Sequence, residues 1–255
     1  MALMDRLQQI LHALHSQTLS PEEAERQLKA WPFQTLEDIT IDTHRNLRKG
    51  FPEVIFGESK SLDQLIRLTE AHLNSQQQLL ITRINETVFT SLQKNFPSLI
   101  YHSQAKIVAS DMPPDPQYPG TILVLSGGSS DIPVASEAVL TAQYLGNKVE
   151  TLYDVGVAGL QRLLSHITRL QSANVIIVAA GMEGALTSVV AGLVSTPVIG
   201  LPTSIGYATA LKGFTPLMAM LTGCAEGVGV VNIDNGFGAG YLAASINRTN
   251  LKTPS

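Results

Sequence analysis

The chain has 255 residues, 44% apolar and only 15% charged, enough for one large or two modest packed cores and too apolar for a disordered chain. A net charge of -4 argues against a nucleic-acid binder, and a single cysteine excludes an internal disulfide framework and fits a reducing cytoplasm. No secretory leader is read at the start, where Asp5, Arg6 and two glutamines interrupt the leucines, and Pro197 and Pro202 break the charge-free stretch 184–211 below a membrane span. A cytoplasmic protein with no membrane and no nucleic-acid partner is expected.

In chain order, Leu3, Leu7, Ile10, Leu11 and Leu14 recur at helical spacing and predict an amphipathic first helix. Ser20-Pro21-Glu22-Glu23 is a helix start, with Ser as N-cap and Pro at the first position, so a second helix is expected to run to about Ala30. The pair reads as a docking or oligomer arm. Residues 39–60 then mix strand formers with Arg45, Arg48, Lys49 and Lys60 near Asp42, Glu53 and Glu58. This is either a solvated charged edge or a basic lip that holds a phosphorylated substrate through bidentate arginine contacts. A helix over 61–75, strands at 79–84, 99–102 and 106–109, and a helix near 86–94 complete a small α/β domain. Stretch 111–120 holds four prolines. It marks the border between an N-terminal arm with a substrate-binding domain (1–117) and a catalytic domain (118–255).

Beyond the border, apolar runs at 122–126, 175–179, 198–201 and 228–233 are short and rich in Val and Ile, as strands buried on both faces are. Segment 148–154 is a further strand, helices are expected over 156–170 and 216–225, and the alternation predicts an α/β fold with a parallel sheet flanked by helices. Ligands bind beyond the carboxyl ends of such strands, so the turns there carry the candidates.

The first, Gly127-Gly128-Ser129-Ser130-Asp131, suits close approach of a ligand but matches neither a P-loop nor a G-x-G-x-x-G fingerprint. In 179–184, Glu183 is either a general base whose pKa desolvation would raise or a helix-start glutamate favoured by the macrodipole. Cys224, expected near the carboxyl end of the 216–225 helix, reads by itself as a small core residue. Stretch 232–240 either caps a helix or hydrogen-bonds a ribose or carboxylate. The six histidines and Cys224 show no metal-ligand spacing, so no zinc site is expected.

Ser130-Asp131 with Pro133, 179–184 and 197–202 resemble the class I carboxymutases that act on aminoimidazole ribonucleotide in purine biosynthesis. That resemblance implies a flavodoxin-like α/β fold, a homo-octamer, and a strand-end turn that holds the substrate's phosphate and ribose. The histidines that carry protons in that family are replaced here by Asp154-Val155-Gly156-Val157 and by Gly181-Met182-Glu183-Gly184. Over about 39–248 the chain is more similar to the LarB family, the carboxylase-hydrolases of nickel-pincer nucleotide cofactor biosynthesis. The matching stretches are Asp42-x-x-Arg45-x-x-Arg48-x-Gly50-Phe51-Pro52-Glu53, 154–159, 181–184, Pro202-Thr203-Ser204 and 231–240. The first 35 residues do not contribute.

This resemblance implies that CO2 is added to the pyridinium ring of nicotinic acid adenine dinucleotide and that its phosphoanhydride is hydrolysed. AMP and pyridinium-3,5-biscarboxylic acid mononucleotide, a precursor of the lactate racemase cofactor, are the implied products. It places the catalytic nucleophile on Cys224 and the ring-proton base on Glu183. Ser130, Asp131, Asp154, Asn232, Asp234, Arg45 and Arg48 become substrate contacts. Mg2+ is expected for the hydrolysis, with no organic cofactor. A purine-type carboxymutase and a non-catalytic nucleotide-binding module are the alternative readings.

Overall fold

The structure, a computed structural model, describes residues 2–249 apart from 30–32, 37–38, 43–44, 46–48, 52 and 76. The chain divides into two compact units between Met112 and Pro113, inside the proline-rich stretch and a few residues before the expected border.

The first unit opens with α1 (Ala2–His15) and α2 (Pro21–Lys29), and the Ser20 hydroxyl accepts the Glu23 N–H at 3.1 Å as the sequence predicts. An antiparallel ribbon follows, β1 (Phe33–Leu36) with β2 (Ile39–Asp42). Then come β3 (Ile55–Phe56), α3 (Leu62–Asn74), β4 (Leu80–Thr82), α4 (Glu86–Asn95), β5 (Ile100–His102) and β6 (Ile107–Ala109). They form a sheet of order β3-β4-β6-β5 in which only β3 and β4 are parallel. Ser61 and Gln64 close a capping box on α3, whose Leu65 and Leu68 pack with Leu79, Ile81, Ile84, Leu92 and Val108 into one core.

His72 on α3 is buried in that unit, and its Nδ1 hydrogen-bonds the Leu68 carbonyl at 2.9 Å. Burial holds its pKa below the ordinary 6.5. The folded state therefore binds this proton less readily than the unfolded chain, so the stabilising contribution is present above pH 6.5 and is lost as pH falls. Denaturant titrations are expected to show the first unit weakening below about pH 6.5, by at most about 1.4 kcal/mol per pH unit. His72→Leu should flatten that slope; an unchanged slope in the variant would assign the acid sensitivity elsewhere.

The second unit is a five-stranded sheet of order β8-β7-β9-β10-β11, parallel throughout. Its strands are β7 (Tyr118–Ser126), β8 (Asn147–Leu152), β9 (Val175–Ala180), β10 (Val198–Pro202) and β11 (Val228–Val230). The crossovers are α5 (Ile132–Tyr144), the pair α6 (Leu160–Leu164) and α7 (Ile167–Ser172), α8 (Ala185–Ala191) and α9 (Phe214–Leu221); α10 (Gly236–Thr249) closes the chain. Residues 122–125 of β7 and all of β9 are buried, as strands covered on both faces must be. The order reverses between β7 and β9, the topological switch point of a flavodoxin-like fold.

Three expectations are corrected. The helix expected over 156–170 is a 3-10 turn (Val157–Gly159) followed by α6 and α7, broken at Ser165 and His166. The helix expected to reach Ala225 ends at Leu221, where the Thr222 hydroxyl donates to the Met218 carbonyl at 2.7 Å, and Cys224 follows in the loop. The last strand stops at Val230, and the stretch behind it belongs mostly to helix packing. A Cβ on Gly236 would come within 2.5 Å of the Val134 carbonyl, and one on Gly240 within 2.5 Å of the Ala138 carbonyl. These glycines let α10 lie against α5, while Asn235 caps α10 by accepting the Gly238 N–H at 2.8 Å.

Candidate active site at the carboxyl edge of the parallel sheet

Four strand-end turns of the second unit are tied together by side chains that face inward. Asp131 is buried at the end of the first turn, and its Oδ2 accepts the Gly128 N–H at 2.8 Å. Its Oδ1 accepts the Thr203 hydroxyl at 2.6 Å, and the Gly181 N–H is a further donor. One carboxylate thus joins the turns after β7, β9 and β10. Burial raises its pKa above the usual aspartate range; the three donors oppose that rise, and the negative charge of Asp234 adds to it. Asp234, in left-handed backbone conformation, accepts the Ser204 N–H at 2.8 Å and donates its own N–H to the Pro202 carbonyl at 2.9 Å, so it joins β10 and β11.

The turn after β8 is held separately. The buried Ser126 hydroxyl accepts the Asp154 N–H at 3.0 Å, and the Asp154 carboxylate pairs with Arg162 at 2.7 Å. A Cβ on Gly156 would lie 2.5 Å from the Gly127 carbonyl, and one on Gly159 would lie 2.7 Å from Arg162 Nε. The Asp154-Val155-Gly156-Val157-Ala158-Gly159 stretch therefore has a packing reason: two glycines make room for a neighbouring turn and for the arginine that pairs with its aspartate.

The candidates read from sequence separate into three groups. Ser130 is exposed beside the exposed Ser129, and Asn232 is exposed with its Oδ1 on the Ile233 N–H at 2.9 Å; both lie on carboxyl-edge turns. Asp131, Asp154 and Asp234 stand on the same edge, with carboxylate oxygens engaged by protein donors. Thr203, Ser126 and the crowded Gly181 complete this frame and were not singled out as site residues. The Pro202-Thr203-Ser204 stretch directly behind a buried strand was their signal, but a hydroxyl's direction is invisible in a sequence.

Glu183 stands on the turn after β9 and is exposed. The desolvated setting expected for it is absent, because its neighbours Gly181 and Gly184 are the residues turned inward. Gly184, at φ 70, has no room for a Cβ against Pro216, and its N-cap position starts α8. Cys224 is exposed in the loop that enters β11. Val228 pairs with Val198, the first residue of β10, so Cys224 belongs to the amino-terminal edge of the sheet and Glu183 to the carboxyl edge. A Cβ on Gly223 would lie 2.7 Å from Ser188 Oγ, which places the cysteine loop alongside α8. Arg45 is half-buried in the first unit, and Arg48 lies outside the described residues. Among the described residues no three His, Cys, Asp or Glu side chains gather as metal ligands. Asp131, Asp154 and Asp234 on this edge already engage protein donors, and no step is assigned to Mg2+.

A doubly wound parallel sheet with a Gly-Ser-Asp turn at its switch point makes the second unit a flavodoxin-like α/β domain. The AIR carboxylase family model matches residues 121–253, and the model of the LarB/PurE-like N-terminal domain matches residues 33–112. The chain belongs to this LarB/PurE-like family, in which that N-terminal domain precedes an AIR carboxylase domain. It is 38% identical over 249 residues to the uncharacterized protein MJ0165 of Methanocaldococcus jannaschii, across 94% of this chain and 96% of that protein. The fold and family make it a carboxylase-family protein. Among the described residues no helix is long and apolar enough to cross a membrane.

Proposed function

We propose that this protein carboxylates the pyridinium ring of nicotinic acid adenine dinucleotide with CO2 and hydrolyses its phosphoanhydride, releasing AMP and pyridinium-3,5-biscarboxylic acid mononucleotide. The observation that carries the reading is a substitution of chemical groups. The strand-end turns of this carboxylase domain hold no histidine, its one histidine (His166) lying between α6 and α7, while the chain's single thiol is exposed on a loop of the same domain. Imidazole chemistry has lost its proton carrier here, and a soft nucleophile is accessible.

A pyridinium ring is electron-poor and does not attack CO2. In the proposed reaction the Cys224 thiolate adds to ring carbon 4, and the pyridinium becomes a neutral dihydropyridine with a nucleophilic carbon 5. Carbon 5 forms the bond to CO2. Glu183 takes the proton from that carbon, the C–S bond breaks, and its electron pair leaves with the thiolate as aromaticity returns. A thiol is only a few per cent thiolate at neutral pH, and the cationic ring favours the anionic form once bound. Water then cleaves the phosphoanhydride; assays with and without Mg2+ decide whether that step needs the ion. Ser130 and Asn232 of the second unit and Arg45 and Arg48 of the first are each proposed as substrate contacts, and Asp131, Asp154 and Asp234 shape the second-unit turns.

A homo-octamer belongs to this reading. Phe214, Met218 and Leu221 leave an apolar stripe exposed on α9, the kind of surface that self-association covers. In the proposed assembly a cysteine loop of one copy meets the carboxyl-edge turns of another, because one chain carries Cys224 and Glu183 at opposite edges of its sheet.

The test is mass spectrometry of the protein incubated with the dinucleotide and ¹³C-bicarbonate. A mononucleotide that carries the label, formed together with AMP, is the expected result. Unchanged dinucleotide alongside consumption of aminoimidazole ribonucleotide would transfer the protein to purine chemistry. Bound but unaltered dinucleotide would make it a nucleotide-binding module.

A further inference from the structure

We propose that Thr203 is a positioning residue of this site: its hydroxyl clamps Asp131, and the clamp keeps turn 127–131 in the shape that presents Ser129 and Ser130 outward.

Thr203 follows β10 directly and is fully buried, with its N–H bonded to the Ala180 carbonyl at 3.1 Å. The peptide of Thr203 is therefore fastened to β9, and its hydroxyl reaches across to Asp131 Oδ1 at 2.6 Å. Asp131 answers on the other side by taking the Gly128 N–H, which bends the turn back on itself and leaves Ser129 and Ser130 exposed. Gly181 is part of the same device: a Cβ there would sit 2.7 Å from Thr203 Oγ1, so only glycine leaves the hydroxyl its place. A buried carboxylate is tolerated only when donors surround it. Among the described residues Thr203 is the side-chain donor to Asp131, the Gly128 and Gly181 donors being backbone N–H groups. Removing the hydroxyl leaves the carboxylate under-satisfied and favours its protonated form, which no longer accepts the Gly128 N–H in the same way.

Asp234 contributes a like charge against Asp131 from the turn after β11. Glu137, on α5, faces the space beside Gly236, and Asp154 is paired with Arg162. Loss of the Thr203 donor should therefore raise the pH at which the turn loosens.

The clamp's role in turnover rests on the proposed dinucleotide reaction; the clamp itself does not. The test compares Thr203→Val, which removes the hydroxyl at nearly constant volume, with Thr203→Ser, which keeps it. Amide hydrogen exchange of Gly128 is expected to rise about tenfold or more in Thr203→Val and to stay at the wild-type rate in Thr203→Ser, a tenfold change being about 1.4 kcal/mol of protection. In turnover, Thr203→Val should raise KM for the dinucleotide more than it lowers kcat and shift the acid limb of the pH profile upward, with both restored in Thr203→Ser. Wild-type exchange and an unshifted acid limb in Thr203→Val would overturn the proposal. So would a Thr203→Ser protein whose Gly128 amide exchanges about tenfold faster, a result that decides even if the valine variant does not fold. If the wild-type protein leaves the dinucleotide unaltered, the functional reading falls, and the exchange data still settle the clamp.

Discussion

Cys224→Ala is expected to lower the rate of ring carboxylation by about a thousandfold or more, the scale seen when a covalent nucleophile is removed. The same change should leave stability within about 0.5 kcal/mol, because Cys224 is exposed in a loop and fills no core space. Cys224→Ser is expected to fare as badly, since a hydroxyl is a poor nucleophile toward carbon 4 and a poor leaving group in the last step. Dinucleotide binding, measured by calorimetry, should survive in both variants. The pairing of lost turnover with retained binding and fold is what separates a nucleophile from a packing residue. If Cys224→Ala carboxylates the ring at the wild-type rate, the covalent mechanism is wrong.

Gly181→Ala is the second large effect expected, and it acts through the backbone. The added Cβ would collide with the Ile205 carbonyl and lie 2.7 Å from Thr203 Oγ1. Neither neighbour is free to yield. The Ile205 carbonyl accepts the Met182 N–H at 2.9 Å, and the Thr203 peptide is bonded to Ala180. Overpacking of this kind costs about 1–3 kcal/mol, and it falls on the knot that joins the turns after β7, β9 and β10. We expect a lower unfolding midpoint together with dinucleotide binding weakened about tenfold or more. Gly229→Ala is the matched control: a Cβ on that strand glycine meets nothing within 4 Å, so stability should stay within about 0.5 kcal/mol of wild type. Equal midpoints for the two variants would show that the crowding at Gly181 relaxes without consequence.

Strands β7, β9 and β10 of the second unit were legible because burial on both faces leaves an unmistakable pattern, whereas β11, expected to be buried too, is a half-buried edge strand. Val175, Ile176, Ile177 and Val178 are all fully buried, and no surface constraint interrupts the apolar run. The proline-rich stretch was read as a border because prolines supply no N–H to a sheet ladder, and the units part at its Met112 and Pro113, although β7 begins at Tyr118 and takes in Pro119. Other features misled. Apolar Met218, Met220 and Leu221 made the α9 helix look as if it continued to Ala225, yet the helix stops where Thr222 satisfies the last turn and Gly223 meets Ser188. Glu183 read either as a desolvated base or as a helix-start glutamate; the turn before α8 is arranged with its glycines inside and its glutamate outside.

The sequence by itself determined the two-unit organisation, the parallel sheet, the helix starts at Ser20 and Ser61, and the turns on which chemistry is expected. Those are local matters of periodicity, capping and composition, written into neighbouring residues. Only the tertiary structure decided what each turn residue does. Asp131 looked like a ligand contact and faces inward, because Thr203, 72 positions away along the chain, brings a hydroxyl to its carboxylate. Stretch 232–240 read either as a helix cap or as a ribose contact; Asn235 does cap α10, and Gly236 and Gly240 are where α10 meets α5. The separation of Cys224 and Glu183 to opposite edges of the sheet likewise follows from strand pairing, since a parallel register sends successive loops to alternate ends, whatever residues they contain.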